Sequence, residues 1–278
     1  MNYFLYLYPL LTFAKMYRKL RIKNLELKIR NACCLLLVTC YLLTACSGSK
    51  HLAVQDTQTK HYATTDNTVD SSVVKTIQPY KQTIDGKMHE VIGTAPIALT
   101  KKTPESTLGN FFAEAVFGRV KKVPNVDTNY TFAMFNNGGL RTSVPQGNVM
   151  VGGMFELMPF ENKLVVIAIS GERLMQLLNY VAEKDGAPVA GIRFVIADKK
   201  ATSIIINGKA FDGTKTYYVA TSDYLAGGGD TFFTAGENKD MIKTDILLRD
   251  ILIDYCKALN KQNKPITATL DGRIQYAK

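Results

Sequence analysis

Residues 218–230 read YVATSDYLAGGGD, an apolar segment that runs directly into three glycines and an aspartate. The apolar part belongs to a run that predicts a strand over residues 217–221. Three adjacent glycines are costly as structure alone, so they favour a close approach of backbone or ligand. The loop is not a P-loop, since no Gly-Lys-Ser/Thr follows, and its spacing is not that of the dinucleotide fingerprint. The stretch predicts a binding loop at the end of a strand.

A second glycine loop lies earlier in the chain. Residues 136–141 read NNGGLR and follow a short apolar segment, residues 130–135, that predicts another strand. Two glycines let backbone N–H groups approach an anion closely. The planar guanidinium of Arg141 suits a phosphate. Taken alone, this loop is more typical of a plain turn with a solvated arginine.

Aromatic side chains accompany both loops. Phe160 follows Met-Pro, precedes a polar turn and stands outside the alternation of the next strand, so its ring can be exposed. A phenylalanine is ordinarily part of the core, which is the competing interpretation. Tyr224 offers a second aromatic face, and Asp230 can accept hydrogen bonds from sugar hydroxyls. Stacking on an aromatic ring stabilises a bound base by roughly 1–3 kcal/mol.

The rest of the chain alternates helical and extended patterns. Helical spacing predicts one helix that Asp70 or Ser71 caps and Asp85-Gly86 ends, and a last helix that Thr244 or Asp245 caps. Asn207-Gly208 predicts a hairpin turn, which requires antiparallel neighbours. The fold class is therefore α/β (α+β), with a mixed β-sheet packed with helices. The remaining expected elements are a strand over 91–99 containing Pro96, a helix over 107–120, a strand over 163–169, a helix capped by Ser170, and strands over 194–196 and 203–206.

The first 46 residues have the composition of an export signal. Basic residues between 15 and 30 precede an apolar run over 32–45, and residues 43–46 read LTAC. This order describes a signal peptide. The cut before Cys46 resembles that of bacterial lipoproteins, so Cys46 would carry lipid. An ordinary membrane anchor is the weaker alternative, because the run is shorter than the ~20 residues of a spanning helix. Residues 47–68 are polar and predict a flexible tether, and 69–278 are long enough for one domain with a substantial core.

Charge and cysteine usage agree with export. The whole chain has a net charge of +10, and the first 46 residues carry +6 of it. The remaining +4, spread over the body, does not favour nucleic-acid binding. Cys256 is the only cysteine after Cys46, which excludes an intrachain disulfide beyond the signal. We expect Cys256 to be a buried thiol on a helix rather than a nucleophile.

Several motifs, taken in order, resemble the C-terminal substrate-binding domain of the 5′-nucleotidase family. That family includes UDP-sugar hydrolases and 2′,3′-cyclic phosphodiesterases. The resemblance covers residues 90–276, and no single motif is specific. The matching stretches are PESTLGN at 104–110, NNGGLR at 136–141, LMPFEN at 157–162, SG at 170–171, YVATSDYLAGGGD at 218–230 and DGRI at 271–274.

The resemblance implies a role for each matching residue. Phe160 and Tyr224 fall where two rings sandwich the nucleobase; the second ring is commonly phenylalanine, so Tyr224 is a mild departure. Arg141 falls where an arginine holds phosphate, with Asn136 as its polar companion, and Asp230 falls on the ribose-binding carboxylate. Upstream of Glu105 the family often has another phosphate-binding arginine. This chain has Lys102 there, which keeps the charge but loses the bidentate fork. The remaining predicted contacts are Gly138, Gly139, Gly228 and Gly229.

The chain departs from the family most in what it lacks. Family enzymes carry a two-metal phosphoesterase domain with several imidazole and carboxylate ligands, and its DxH, GDxxD, GNHE and GHxH patterns do not occur here. The three histidines, His51, His61 and His89, cannot supply that site. We therefore assign no catalytic residue and no metal ligand. Divalent metals (Zn, Mn, Mg or Ca) are expected only in a partner metallophosphatase.

Three hypotheses follow for the function. The first is the nucleotide-recognition half of a 5′-nucleotidase-type hydrolase of nucleotide catabolism, completed by a separate metallophosphatase chain. The second is a non-catalytic nucleotide-binding lipoprotein at the cell surface or in the periplasm. The third, a structural envelope protein with a decayed site, is disfavoured by the retained aromatic, arginine and aspartate positions. In each case we expect an exported bacterial lipoprotein, periplasmic or associated with the outer membrane, and whether this chain is an enzyme alone stays open.

Overall fold

The computed structural model describes residues 70–233 and 241–278, together with the isolated positions 23, 28 and 30–32. The predicted signal segment 1–46, its Cys46, and the tether 47–68 with His51 and His61 lie outside the described parts, apart from those isolated positions. Residues from Val69 to Lys278 form one compact unit. Among the described residues, no helix has the length and apolar character needed to cross a bilayer.

Helices and strands are interspersed along the described chain, with five consecutive strands between α4 and α5. The helices are α1 (Ser71–Met88), α2 (Thr107–Val120), α3 (Val151–Leu157), α4 (Gly171–Glu183), α5 (Asp223–Ala226) and α6 (Leu248–Lys261). The strands are β1 (Val91–Ala95), β2 (Thr131–Met134), β3 (Gly147–Met150), β4 (Lys163–Ser170), β5 (Val189–Ala190), β6 (Ile192–Ala197), β7 (Lys200–Ile206), β8 (Lys209–Ala210), β9 (Thr216–Ser222), β10 (Ile242–Leu247) and β11 (Ile274–Tyr276).

Three sheets organise these strands. The largest has the order β10-β4-β9-β2-β5, in which β9 and β2 are parallel and the other neighbours are antiparallel. A second sheet has the order β11-β6-β7-β8, and β1 pairs with β3. The hairpin between β7 and β8 turns at Asn207 and Gly208, both with positive φ as a type I′ turn requires. The predicted mixed sheet packed with helices is confirmed.

The five-stranded sheet is buried on both faces. Successive residues of β4 point to opposite sides, so Leu164 and Val166 join a core beneath α2, α3 and α6, whereas Val165 and Ile167 join a core beneath α4. This explains why β4 reads as a continuous apolar run rather than as an alternating one. The sheet is therefore a rigid central layer, on whose edges loops can be placed reproducibly.

Two predicted helix boundaries were wrong. The expected stop at Asp85-Gly86 does not occur, because α1 continues for another two residues to Met88. The last helix does not begin at Thr244 or Asp245, because that segment is β10 and α6 starts at Leu248. The hydroxyl of Thr244 donates to the backbone oxygen of Leu164 at 2.7 Å, so pairing with β4 has overridden the local capping signal.

The helix predicted from the apolar spacing after Asp70 is confirmed as α1, and none of its residues is buried. Proline ends the first strand earlier than expected as well, since β1 stops at Ala95, before Pro96. The helices predicted over 107–120 and after Ser170 are confirmed as α2 and α4, and Ser170 caps α4 by accepting from the amide of Arg173.

Candidate functional site

Three loops meet at one end of the five-stranded sheet. The parallel strands β2 and β9 are neighbours, with Ala133 opposite Ala220, so the loops that follow them leave the sheet side by side. Strand β4 runs antiparallel to β9, with Leu164 opposite Ser222, so the segment that precedes β4 reaches the same end. The sheet order thus brings together three segments that lie far apart in sequence: 136–141, 158–162 and 223–231.

These loops enclose a cleft of about 310 Å³. Its lining combines polar and charged side chains with two aromatic rings. The rings are partly open to solvent, since Phe160 is 45% exposed and Tyr224 is 50% exposed. Both rings are therefore available to a ligand, and neither is packed into the core. The residues that line the cleft are Asn136, Gly138, Gly139, Arg141, Phe160, Asn162, Tyr224 and Asp230.

Arg141 is fixed on one side of the cleft. Its backbone amide donates to the oxygen of Leu157 at 2.8 Å, which ties the NNGGLR loop to the end of α3. Its guanidinium donates to the oxygen of Gly138 at 3.3 Å and lies 5.9 Å from the centroid of the Phe160 ring. One planar cation beside an open ring is an arrangement that can hold an anionic group next to a stacked base.

Asp230 is fixed on the other side. Its carboxylate accepts from the amide nitrogen of Asn136 at 2.5 Å and from the hydroxyl of Tyr224 at 2.9 Å. The hydrogen bond to this carboxylate raises the pKa of Tyr224 above its ordinary value, so the phenol keeps its proton and remains a donor. A carboxylate has about four acceptor positions, so capacity remains for further donors.

The glycine-rich segment before Asp230 supports the Tyr224 ring. A Cβ on Gly229 would lie 2.5 Å from two carbons of that ring, so only glycine lets the ring pack against the backbone there. Gly228 has a φ of +99°, a conformation that favours glycine. Neither glycine lines the cleft. The close approach predicted for this loop is thus made by a side chain of the loop itself.

Lys102 is exposed and does not line the cleft. Its neighbour Lys101 instead directs its ammonium to the oxygen of Leu140 at 2.8 Å, immediately before Arg141. The sequence does not predict two further residues of the site. Asn162 lines the cleft, whereas the sequence pattern indicates only a polar turn there, within the LMPFEN motif. Tyr180 donates to the backbone oxygen of Asp230 at 2.5 Å, and no sequence signal on α4 indicates this contact.

The described residues do not fit a dinuclear metal centre. Within 70–233 and 241–278, no three His, Cys, Asp or Glu side chains come together in a group that could hold an ion. His89 is exposed at the C-terminal end of α1. Cys256 is buried on α6. The described part of the chain therefore offers no set of ligands for two metal ions.

The fold and the cleft define an α/β domain in which three loops of a mixed sheet line one cleft, and comparison with known proteins gives its family. The model of the 5′-nucleotidase C-terminal domain family matches residues 87–237. The chain belongs to this family, which covers a nucleotide-binding part of 5′-nucleotidases.

Individual relatives show how much of a longer protein this chain represents. It is 25% identical to a 5′-nucleotidase of Vibrio cholerae over 81% of this chain and 40% of the relative. It is 27% identical to a trifunctional nucleotide phosphoesterase of Bacillus subtilis, over 72% of this chain and 15% of that protein. The crystal structure of a 5′-nucleotidase precursor from Thermus thermophilus matches with a TM-score of 0.61 and 27% identity, over 73% of this chain and 43% of that one. The chain thus spans less than half the length of these relatives.

Proposed function

We propose that this chain is the nucleotide-recognition half of a 5′-nucleotidase-type hydrolase, acting in nucleotide catabolism, and that a separate metallophosphatase chain supplies the two-metal site. The observation that carries the proposal is the convergence of two half-exposed aromatic rings, one guanidinium and one carboxylate on a single cleft. The three chemical parts of a nucleotide each find a matching group in this set. The proposal extends to domain organisation, with residues 69–278 as the binding domain.

The base is proposed to lie between Phe160 and Tyr224. Stacking on aromatic rings tolerates any nucleobase, because every base has a π-face. Asn162 also lines the cleft, and its side chain adds hydrogen-bonding capacity for a base edge. The phosphate is proposed to lie at Arg141, where the glycines of the same loop allow a close approach of the backbone. Asp230 would then accept from the ribose hydroxyls that lie between base and phosphate.

This domain would contribute binding and orientation rather than bond cleavage. Holding the nucleotide in a fixed geometry against a metal site can lower the barrier substantially without any proton transfer by the binding domain. The metal ions (Zn, Mn, Mg or Ca) and the attacking water belong, in this proposal, to the partner chain. The alternative is a lipoprotein that only captures nucleotides, and the same cleft supports it.

The anchoring proposed for this chain rests on the sequence around Cys46. We propose that export and cleavage leave Cys46 as a lipidated first residue at the bacterial envelope, in the periplasm or at the outer membrane. Palmitate labelling tests this directly, since label is expected on the wild-type chain and not on a Cys46→Ser variant. Equal labelling of both would remove the anchor from the proposal.

A binding experiment tests the cleft. Phe160→Ala is expected to weaken AMP binding by at least ~1 kcal/mol, because one stacking surface is lost. Isothermal titration of the purified chain with AMP measures the change. Tyr80→Ala is the matched control, since Tyr80 is an exposed aromatic residue on α1, outside the cleft. Affinity unchanged by Phe160→Ala would take Phe160 out of the site.

An activity experiment separates the two functions. The purified mature chain is incubated with AMP and Mn²⁺ or Zn²⁺, with and without a candidate metallophosphatase chain, and released phosphate is measured. Turnover only in the presence of the second chain supports the split hydrolase. Binding without turnover in both mixtures supports nucleotide capture. Turnover by the pure chain alone would contradict the assignment of catalysis to a partner.

A further inference from the structure

Tyr224 contributes a hydroxyl to the cleft as well as a ring. That hydroxyl donates to one carboxylate oxygen of Asp230 at 2.9 Å, while Asn136 donates to the other at 2.5 Å. All three side chains line the cleft. The aromatic surface proposed for the base and the carboxylate proposed for the sugar are therefore joined by a hydrogen bond, and a phenylalanine at position 224 could not form it.

The backbone around this carboxylate is held in an unfavourable conformation. Asp230 has a φ of +50° and Thr231 a φ of +57°, in the left-handed region that non-glycine residues rarely adopt. Contacts from outside the loop hold it there: the Tyr180 hydroxyl donates to the backbone oxygen of Asp230, and the Thr231 hydroxyl donates to the Tyr180 hydroxyl at 2.8 Å. The backbone that carries the carboxylate is thus held in place before any ligand binds.

The Tyr224 ring is held at two points. Its face packs on the backbone of Gly229, where a Cβ would lie 2.5 Å away, and its hydroxyl is fixed by Asp230. A ring held in this way cannot turn without releasing the carboxylate. Conversely, a carboxylate that rotates releases the ring. Groups fixed in their bound geometry bind with a smaller loss of conformational entropy.

We propose that the Tyr224 hydroxyl is a positioning group that makes base stacking and recognition of the ribose diol interdependent, so that the site selects ribonucleosides over nucleosides without the diol. The inference rests on the proposed function of the cleft and specifies its ligand class. Asp230 uses two of its acceptor positions for Tyr224 and Asn136 and offers the others to the sugar. Without the phenol, one carboxylate oxygen loses its partner and the carboxylate can rotate away from the sugar.

A ligand-by-variant cycle tests this coupling. The affinities of adenosine and 2′,3′-dideoxyadenosine are measured by isothermal titration for the wild-type chain and for Tyr224→Phe, which keeps the aromatic face. Removing the diol is expected to weaken wild-type binding about tenfold or more, as for hydrogen bonds to a charged group. In Tyr224→Phe the same removal is expected to weaken binding only about threefold or less.

Tyr276→Phe is the matched control. Its hydroxyl also bonds to an aspartate, Asp185, at 3.2 Å, and it lies outside the cleft. This variant is expected to keep the wild-type ratio of the two affinities. Because the compared quantity is a ratio between ligands on one protein, a general loss of stability does not alter it. Tyr224 is half-exposed in the wild-type chain. Thermal unfolding of Tyr224→Phe checks that the variant is folded.

The outcomes are distinct. If the ratio of the adenosine and dideoxyadenosine affinities is the same in wild type and in Tyr224→Phe, the coupling is overturned and the nucleotide site stays in place. A wild-type ratio near one overturns the diol selection as well. Failure of the wild-type chain to bind adenosine overturns the proposed function together with this inference. A ratio that falls in Tyr224→Phe and not in Tyr276→Phe supports the proposal.

Discussion

Cys256 shows how burial alone determines the chemistry of a single residue. Its side chain is fully buried on α6 among the apolar residues beneath the central sheet, and burial raises the pKa of the thiol to about 12. A thiolate is the reactive form of cysteine. The folded chain therefore keeps Cys256 as an inert thiol at neutral pH, in agreement with its predicted structural role.

The same pKa predicts how stability depends on pH. A cysteine in the unfolded chain titrates near 8.5, so above that pH the unfolded state loses a proton that the folded state retains. The free energy of unfolding should fall as the pH rises, by about 2 kcal/mol at pH 10 from this thiol. Urea unfolding of wild type and Cys256→Ala between pH 7 and 10 measures the difference. Parallel pH profiles for the two proteins would show that the thiol is not buried as described.

Individual site residues could be predicted from sequence only as members of loops. Phe160 stood outside the strand pattern, and the glycines marked two turns, so these positions carried local signals. The contacts of Asp230 with Asn136 and Tyr180 could not be predicted, because they join segments separated by 94 and 50 residues. Only the sheet order brings such segments together, and sheet order has no local signature.

At the scale of the element, α1 is the informative case. Its apolar residues recur at the spacing of an amphipathic helix, and periodicity correctly predicted a helix. Periodicity does not show whether a partner surface exists within the domain, and here Val73, Ile77, Tyr80 and Ile84 are between 50% and 71% exposed. By contrast, α2 and α4 have the same kind of pattern and bury it against the sheet. The pattern is thus the same, and only the tertiary packing differs.

This difference predicts opposite responses to truncation. Ile77→Ala should change the free energy of unfolding by less than ~0.5 kcal/mol, because the side chain is half-exposed and buries little surface. Leu178→Ala on α4 should cost about 2–5 kcal/mol, because its side chain is fully buried and its loss leaves a cavity. Urea unfolding of the two variants, monitored by circular dichroism, measures both values. A cost for Ile77→Ala comparable to that for Leu178→Ala would mean that α1 is covered in solution.

Pairing with a neighbouring strand explains why the start of α6 was predicted wrongly. Thr244 and Asp245 carry the local signals of a helix N-cap, and a helix does follow a few residues later. Strand β10 uses this segment instead, with Ile242 opposite Val166. Hydrogen bonds to a partner strand outweigh a single capping interaction of about 1 kcal/mol. Local signals therefore predicted the existence of α6 and not its first residue.

At the scale of the whole molecule, a largely buried ion network joins the segment before α2 to the segment before β11. Glu105, just before α2, accepts from the backbone amides of Asp271 and Gly272 at 2.9 and 3.0 Å. Arg273 donates to Asp271 at 2.9 Å and to the backbone oxygen of Val189, in β5, at 2.8 Å. The side chains of Glu105 and Arg273 are both more than nine-tenths buried. The network connects the last strand to the sheet that holds the cleft.

Removing Glu105 takes a buried acceptor away from the groups that it binds. Glu105→Ala is therefore expected to lower the free energy of unfolding by about 3–5 kcal/mol, because two backbone amides lose their acceptor and Arg273 loses a nearby carboxylate 3.8 Å away. Asp245→Ala provides the control, since its ion pair with Lys163 is exposed to solvent and its loss should leave the free energy of unfolding almost unchanged. Chemical unfolding of both variants separates the two cases. Similar small losses for both would mean that the C-terminal strand is held by apolar packing at Ile274, and that the charges at 105, 271 and 273 add little to the stability of the domain.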